Sequence, residues 1–147
     1  MPFISITRLR VRSFRFLPFF ALNALRARRQ VKNATGFRGG SLLADRALTF
    51  WTMTAWDSQA SMRLYMTTGS HKGAMPHLLD WCDEASVVHW EQADETLPFR
   101  TEADRRMRES GRASKVRHPS NQHASLSYRD PRTTRAVPIK PGEPKGN

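Results

Sequence analysis

Apolar and polar residues follow two different periods along the first third of the chain. Residues 3–12 are rich in β-branched side chains and alternate at every second position, which predicts a first strand. From residue 16 the apolar positions instead recur every three or four residues, which predicts a helix with one apolar face. These positions are Phe16, Phe20, Ala24, Ala27 and Val31. Pro18 suits the first turn of this helix, where no backbone N–H donor is needed.

The middle of the chain predicts a hairpin, a second helical region and a last strand. Glycines between residues 33 and 40 end the first helix, and two strands follow with a turn at Ala44-Asp45-Arg46. Asp57 or Ser58 can cap the next helix by accepting a hydrogen bond from its free backbone amides. Gly69 ends or kinks this helix, and an apolar stripe at residues 75–82 continues it, with Pro76 near the start of that part. Residues 86–92 predict the last strand.

The order strand, helix, strand, strand, helix, strand is the split βαβ, or ferredoxin-like, pattern. We therefore predict the α+β class for residues 1–97, with a four-stranded antiparallel sheet and two helices on one of its faces. Thr101 and Asp104 resemble a capping box and predict a short charged helix within residues 98–112. Residues 113–147 hold five prolines among polar and basic residues, so we expect a disordered basic tail there.

The third predicted strand, residues 48–56, carries large apolar groups on both faces. Trp51 and Met53 point one way and Phe50 and Trp56 the other, because side chains alternate along a strand. If the helices cover one face, a partner subunit, a bound apolar ligand or the chain's own tail must cover the other. A partner is the simplest choice, since two such sheets packed face to face form a dimeric α/β barrel. The pattern thus predicts a homodimer.

The net charge of +11 is unevenly distributed. Residues 1–47 hold ten basic residues and one acidic residue. Residues 48–100 hold three basic and seven acidic residues, and residues 101–147 hold eleven basic and five acidic residues. Basic surfaces attract phosphates without sequence specificity. The acidic centre, and the scarcity of aromatic residues among the basic ones of the tail, argue against a nucleic-acid platform. A non-catalytic dimer, whose basic tail binds nucleic acid or acidic partners, stays an alternative.

A single cysteine, Cys82, excludes an internal disulfide and a cysteine-rich metal site. The apolar stretch at residues 14–25 is shorter than the about 20 residues that span a bilayer. It is interrupted by Asn23, and arginines follow it without a convincing cleavage site for a signal peptide. We therefore expect a cytoplasmic protein that does not enter the membrane.

The run GFRGGSLLADRALTFWTMTAWDSQASMRLYMTTGSHKGAM, continuing into LLDWCDEASVVHWEQ, resembles small bacterial proteins of the dimeric α/β-barrel superfamily. It is similar to antibiotic-biosynthesis-monooxygenase domains and, more distantly, to spheroidene-monooxygenase-like proteins. The shared features are a glycine-rich entry to the hairpin, a T-x-W strand, a W-D-S step at the helix start and a G-x-H step. The resemblance covers residues 3–92. Some members of this superfamily oxidise polycyclic substrates without metal or flavin, some handle haem, and many have no assigned activity.

The resemblance implies a small monooxygenase-like oxidoreductase that binds an apolar or aromatic molecule between sheet and helices. Such a site needs a base, a hydrogen-bond donor and a mostly apolar cavity. His71 and His89 are the candidate catalytic bases, and a capping or packing role stays open for each. The candidate ligand-binding side chains are Trp51, Trp56, Tyr65 and Trp90.

The same two histidines could instead ligate haem, so the cofactor is either none or haem. His77 follows His71 by six residues, a spacing that places the two imidazoles on different faces of a helix. A metal site shared by this pair is therefore not predicted.

Overall fold

The computed structural model describes residues 1–94, 96–131 and 136–142, apart from the side chains of residues 70, 71 and 74. The strands are β1 (Phe3–Val11), β2 (Phe37–Ala44), β3 (Thr49–Trp56), β4 (Cys82–Glu91), β5 (Arg112–Ala113) and β6 (Val137–Ile139). The helices are α1 (Leu17–Lys32), α2 (Gln59–Met66), α3 (Gly69–Trp81) and α4 (Arg100–Ser110). A single 3-10 turn, Phe14–Phe16, leads into α1.

The strands form one antiparallel sheet in the order β5-β4-β1-β3-β2-β6. Its central four strands have the ferredoxin-like order, which confirms the predicted α+β class with helices and an antiparallel sheet. The described sheet has six strands rather than the predicted four, because the C-terminal third adds a short strand to each edge. Ala113 of β5 pairs with Ser86, and Val137 of β6 pairs with Leu42.

Several predicted boundaries shift in the structure. Ser58 caps α2, with its Oγ accepting a hydrogen bond from the Ser61 N–H at 3.2 Å. The last strand begins at Cys82 rather than residue 86, and β2 begins at Phe37, inside the glycine-rich stretch. The capping box does not form at Thr101. The helix α4 begins at Arg100, and Phe99 at its N-cap position makes no side-chain cap hydrogen bond.

The helices α1, α2 and α3 cover one face of the sheet. Two apolar clusters lie beneath them, one around Trp56 and the other around Phe20. The side chain of Trp56 is completely buried on this face, whereas that of Trp51, five residues earlier on the same strand, is buried on the opposite face. The predicted alternation along β3 is therefore present.

The second face of the sheet is covered by the chain's own C-terminal segment. Ala103 and Met107 of α4, together with Tyr128, pack on apolar side chains of the four central strands. Tyr128 is held by a hydrogen bond from its hydroxyl to Asp104 Oδ1 at 2.7 Å. Of the three possible covers, the structure contains the third one, the tail itself. The exposed apolar face that motivated a partner subunit is not present.

Some described residues beyond 112, in the segment expected to be a disordered tail, pack against the sheet. The imidazole of His123 is buried against β4, where its Nδ1 accepts a hydrogen bond from the Ala85 N–H at 3.3 Å. Its Nε2 lies 2.7 Å from the carbonyl oxygen of Ser114. Ile139 of β6 is buried with the cluster around Trp56. Composition predicted little apolar burial for this segment, but Tyr128 and Ile139 are both buried on the sheet.

The hairpin turn between β2 and β3 holds two residues in the left-handed backbone region. Ala47 and Leu48 have φ angles of 55° and 56°. Asp45 fixes the turn from both sides, because its N–H donates to the Thr49 carbonyl at 2.7 Å and its Oδ2 accepts from the Trp51 indole N–H at 3.2 Å. These hydrogen bonds hold Ala47 and Leu48 in a backbone conformation that is strained for residues with a side chain but not for glycine.

Candidate functional site

A cavity of about 150 Å³ lies between the sheet and the helices α1 and α2. Most of its walls are apolar. Polar groups on its sheet side come from β1 and β3, where alternate residues face the helices. They are Ser5, Thr7, Thr52 and Thr54. The sequence predicted a cavity in this layer, and the structure contains one.

Trp56 and Tyr65, two of the four predicted ligand-binding side chains, line this cavity. Their rings lie 5.4 Å apart between centroids. The Trp56 indole N–H donates to Thr54 Oγ1 at 2.9 Å, and the Tyr65 hydroxyl donates to the Ala27 carbonyl at 3.2 Å. Burial raises the pKa of Tyr65 to about 12. The phenol therefore stays protonated at neutral pH and forms a wall rather than a base.

Trp51 and Trp90, the other two predicted ligand-binding side chains, lie on the opposite face of the sheet and do not line this cavity. Trp51 is in the cluster beneath α4, and the ring of Trp90 packs beside it with the Arg106 guanidinium 4.2 Å from the ring centroid. For Trp51 the reason is geometric, since Trp51 and Trp56 lie five positions apart on one strand, and side chains an odd number of positions apart point to opposite faces. Only one of those two could face the helices.

His89 lies on the helix side of β4, directly opposite Ser5 of β1. It is not a wall residue of the cavity, but its neighbour Ser5 is. Its Nε2 is buried and has no hydrogen-bond partner in the described part of the chain. Burial lowers the pKa of this imidazole, and the positive charges of Arg112 and Arg63 lower it further. A neutral ring with an uncommitted nitrogen is what a proton acceptor requires.

His71, the second candidate base, lies on α3. Its side chain is outside the described part of the structure, so its predicted role stays a prediction.

Arg28 is a cavity residue that the sequence pattern did not single out. It lies on α1, with its side chain half-buried in the cavity wall. Because Arg28 follows the stripe residue Ala24 by four positions, helical spacing places both on one face. That spacing was the available signal, but the basic residues of this helix suggested a solvated surface.

The described cavity does not fit haem. Haem needs an axial ligand inside an apolar pocket, and the described walls carry neither an imidazole nor a thiolate. The phenol of Tyr65 is a protonated donor to a carbonyl. The volume is also that of an apolar cavity that holds benzene, about 150 Å³. Within the described ranges, no cluster of three or more histidine, cysteine or acidic side chains could hold a metal ion.

None of the described helices combines the length and the apolar character that crossing a bilayer requires.

The fold is similar to that of several solved structures. The Rv0793 protein of Mycobacterium tuberculosis matches with a TM-score of 0.58 at 13% identity, over 66% of this chain and 100% of that one. A proposed antibiotic biosynthesis monooxygenase from Nitrosomonas europaea matches with a TM-score of 0.57 at 14% identity, over 65% of this chain and 94% of its own.

A variant of SnoaB, a cofactor-independent oxygenase from Streptomyces nogalater, matches with a TM-score of 0.53 at 16% identity, over 66% of this chain and 97% of its own. No protein-family model and no curated protein sequence matches the chain. These likenesses establish the ferredoxin-like fold of antibiotic-biosynthesis-monooxygenase-like proteins, and they leave about a third of the chain without a counterpart.

Proposed function

We propose that this chain, which has a monooxygenase-like fold, binds an apolar or aromatic small molecule between its sheet and its helices. The observation that carries the proposal is the cavity itself, which has apolar walls and hydroxyl groups on one side. Ligand sites in proteins typically combine an apolar lining with a few placed polar groups. Trp56 and Tyr65 supply the aromatic part of that lining.

The proposed chemistry is oxidation of the bound molecule by O2 without a resident cofactor. The ligand loses protons and supplies the electrons, so that one CH2 group becomes a carbonyl while the second oxygen atom of O2 leaves as water. For the base we propose His89, because its ring is held neutral, its Nε2 is free and its neighbour Ser5 is a wall residue. His71 stays the second candidate.

Self-association stays a prediction. Because α4 and Tyr128 occupy the second face of the sheet, a homodimer would need a different surface. The exposed apolar side chains of α1 offer one such surface. They include Phe19, Leu22 and Leu25.

Filling the cavity tests the proposed binding. Ala27 lies in the cavity wall, whereas Ala21, on the same helix, is exposed. We expect Ala27→Leu to abolish the binding of a neutral single-ring probe such as benzyl alcohol, measured by calorimetry, and Ala21→Leu to leave it unchanged. Equal binding by both variants would place the probe elsewhere and refute the site.

Oxygen uptake tests the chemistry separately. In the presence of a ligand that binds, we expect the rate of O2 consumption to fall strongly in His89→Gln while the affinity for the ligand is retained. An unchanged rate would remove His89 from the proposed role.

A further inference from the structure

Arg28 is a basic residue of the cavity wall that has no partner among the residues that the structure describes. Its Nε is buried and makes no hydrogen bond. Across the described residues, its guanidinium forms no ion pair and no stacking contact with an aromatic ring. A buried donor without an acceptor costs free energy, and the cost is larger when the group is charged.

Two arginines that are more deeply buried, Arg8 and Arg100, do have acceptors. Arg8 lies 3.4 Å from a carboxylate oxygen of Glu84, and Arg100 donates to Ser41 Oγ at 3.2 Å. Arg28 differs from both because no acceptor is described for its guanidinium and no acidic residue lines the cavity. Its described neighbours in the cavity wall are apolar or neutral, so the positive charge is not balanced inside the cavity.

Two free hydroxyl groups lie in the sheet-side wall of the same cavity. Thr7 of β1 and Thr52 of β3 are directly opposite each other in the sheet register. Neither hydroxyl bonds to any group that the structure describes. The cavity therefore has an arginine in its helix-side wall and two available O–H donors on its sheet side.

The basic residues that flank Arg28 on α1 add to the positive potential near the cavity. Arg26, Arg29 and Lys32 are on the same helix, which carries no acidic residue. A cluster of like charges beside a low-dielectric cleft raises the local concentration of ligands of opposite charge.

We propose that the ligand of this cavity is an anion, with a single-ring or similarly small apolar body and a carboxylate or phenolate oxygen that pairs with Arg28. This inference rests on the proposed function, because it names the class of molecule that the same cavity binds. The volume of about 150 Å³ sets the size of the body, since a cavity of that size accommodates benzene. The unpaired guanidinium of Arg28 favours a negative charge on the ligand, and the free hydroxyls of Thr7 and Thr52 favour a polar group at that end of it.

The test compares an acid with its neutral amide. Phenylacetate is ionised at neutral pH, whereas phenylacetamide has nearly the same shape without the charge. Calorimetry or NMR titration of the full chain should show that the acid binds about tenfold to a hundredfold more tightly, the range expected for one charge-assisted hydrogen bond.

Three arginine variants show which residue causes the preference for the acid. Arg28→Met keeps the aliphatic stem and removes the charge, and Arg29→Met makes the same change at the exposed neighbouring position. We expect Arg28→Met to bind acid and amide equally and Arg29→Met to retain the full preference. Arg28→Lys should retain part of it, because lysine keeps the charge but loses the planar fork.

The outcomes separate this inference from the proposed function. Equal binding of acid and amide by the native chain, or a preference that survives in Arg28→Met, would overturn the anionic ligand and leave a neutral ligand in the cavity. Failure of both compounds to bind at all would overturn the cavity as a site for small aromatic molecules, and this inference with it.

Discussion

The ring of Tyr128 meets the indole of Trp51 edge-on, with the ring centroids 5.6 Å apart and the planes at 74°. This contact joins the second face of the sheet to a segment that is remote in sequence. The guanidinium groups of Arg8 and Arg108 also lie over the Tyr128 ring, at 4.0 and 4.1 Å from its centroid. Tyr128 is therefore the residue through which the C-terminal segment closes the apolar face that the sequence left open.

Removing the Tyr128 ring should destabilise the whole domain. We expect Tyr128→Ala to lower the free energy of unfolding by about 3–5 kcal/mol, the usual cost of deleting a buried aromatic side chain. Tyr128→Phe should cost about 1–2 kcal/mol, because it removes only the hydrogen bond to Asp104. Urea denaturation monitored by circular dichroism measures both.

The neighbouring Arg129→Ala is the matched control for Tyr128, since Arg129 is exposed. It should leave stability within about 0.5 kcal/mol of the native chain. If Tyr128→Ala were equally harmless, the C-terminal segment would not be packed on the sheet in solution.

The covered second face predicts a chain that does not associate through its sheet. Sedimentation equilibrium of the native chain measures whether it self-associates, and any dimer should form through another surface, because Trp51 and its neighbours on the sheet face are already buried. If a dimer is found, Tyr128→Ala locates its interface. A dimer that forms through α1 keeps its dissociation constant in this variant, whereas one that uses the sheet face changes it.

The strained hairpin turn predicts a stabilising substitution. Ala47 has a φ of 55°, which costs an L-residue energy that glycine does not pay. We expect Ala47→Gly to raise the free energy of unfolding by about 0.5–1 kcal/mol. The same substitution at the exposed Ala21, in the middle of α1, should instead cost about 1 kcal/mol. Thermal unfolding of the two variants should therefore shift in opposite directions, and a parallel loss would show that the turn is unstrained.

His89 predicts a pH-dependent part of the stability. Its pKa is lowered in the folded chain by burial and by Arg112 and Arg63, whereas in the unfolded chain it titrates near pH 6.5. Between these two pKa values the unfolded state binds the extra proton, so stability rises with pH in that window. The contribution of neutral His89 is complete above about pH 6.5 and is lost as the pH falls through the folded-state pKa.

The measurement compares His89→Gln with the native chain in urea at about pH 7.5 and about pH 5. The native chain should lose more stability on acidification than the variant, because only the native chain carries the perturbed imidazole. Identical losses in the two proteins would show that the ring is solvated in the folded state.

The order of the strands and helices from β1 to β4 could be predicted from the sequence. Alternation in residues 3–12, the three-to-four spacing from Phe16 and the turn residues at 44–46 are local signals, and each persists in the fold. The start of β4 was missed, because a short apolar run around Cys82 fits a helix or a strand equally well. Pairing with β1 makes this segment a strand, since Val11 lies opposite Cys82 in the sheet.

The sequence predicted that the candidate site lies between the sheet and the helices, but it did not predict all of the residues that line it. Alternation placed Trp56 toward the helices, and helical spacing placed Tyr65 there as well. The spacing of residues along α1 could not show that Arg28 lies in a cavity wall without an acidic residue, because this depends on which elements meet around the cavity.

The sequence by itself determined the periods of its apolar residues, and with them the class of fold and the two-sided third strand. Only the tertiary structure decided what covers the second side. Tyr128, His123 and Ile139 lie in a stretch whose composition predicts disorder, and local pattern carries no information about a distant surface. Their burial comes from complementarity to gaps on a sheet that must form first, and such complementarity exists only in three dimensions.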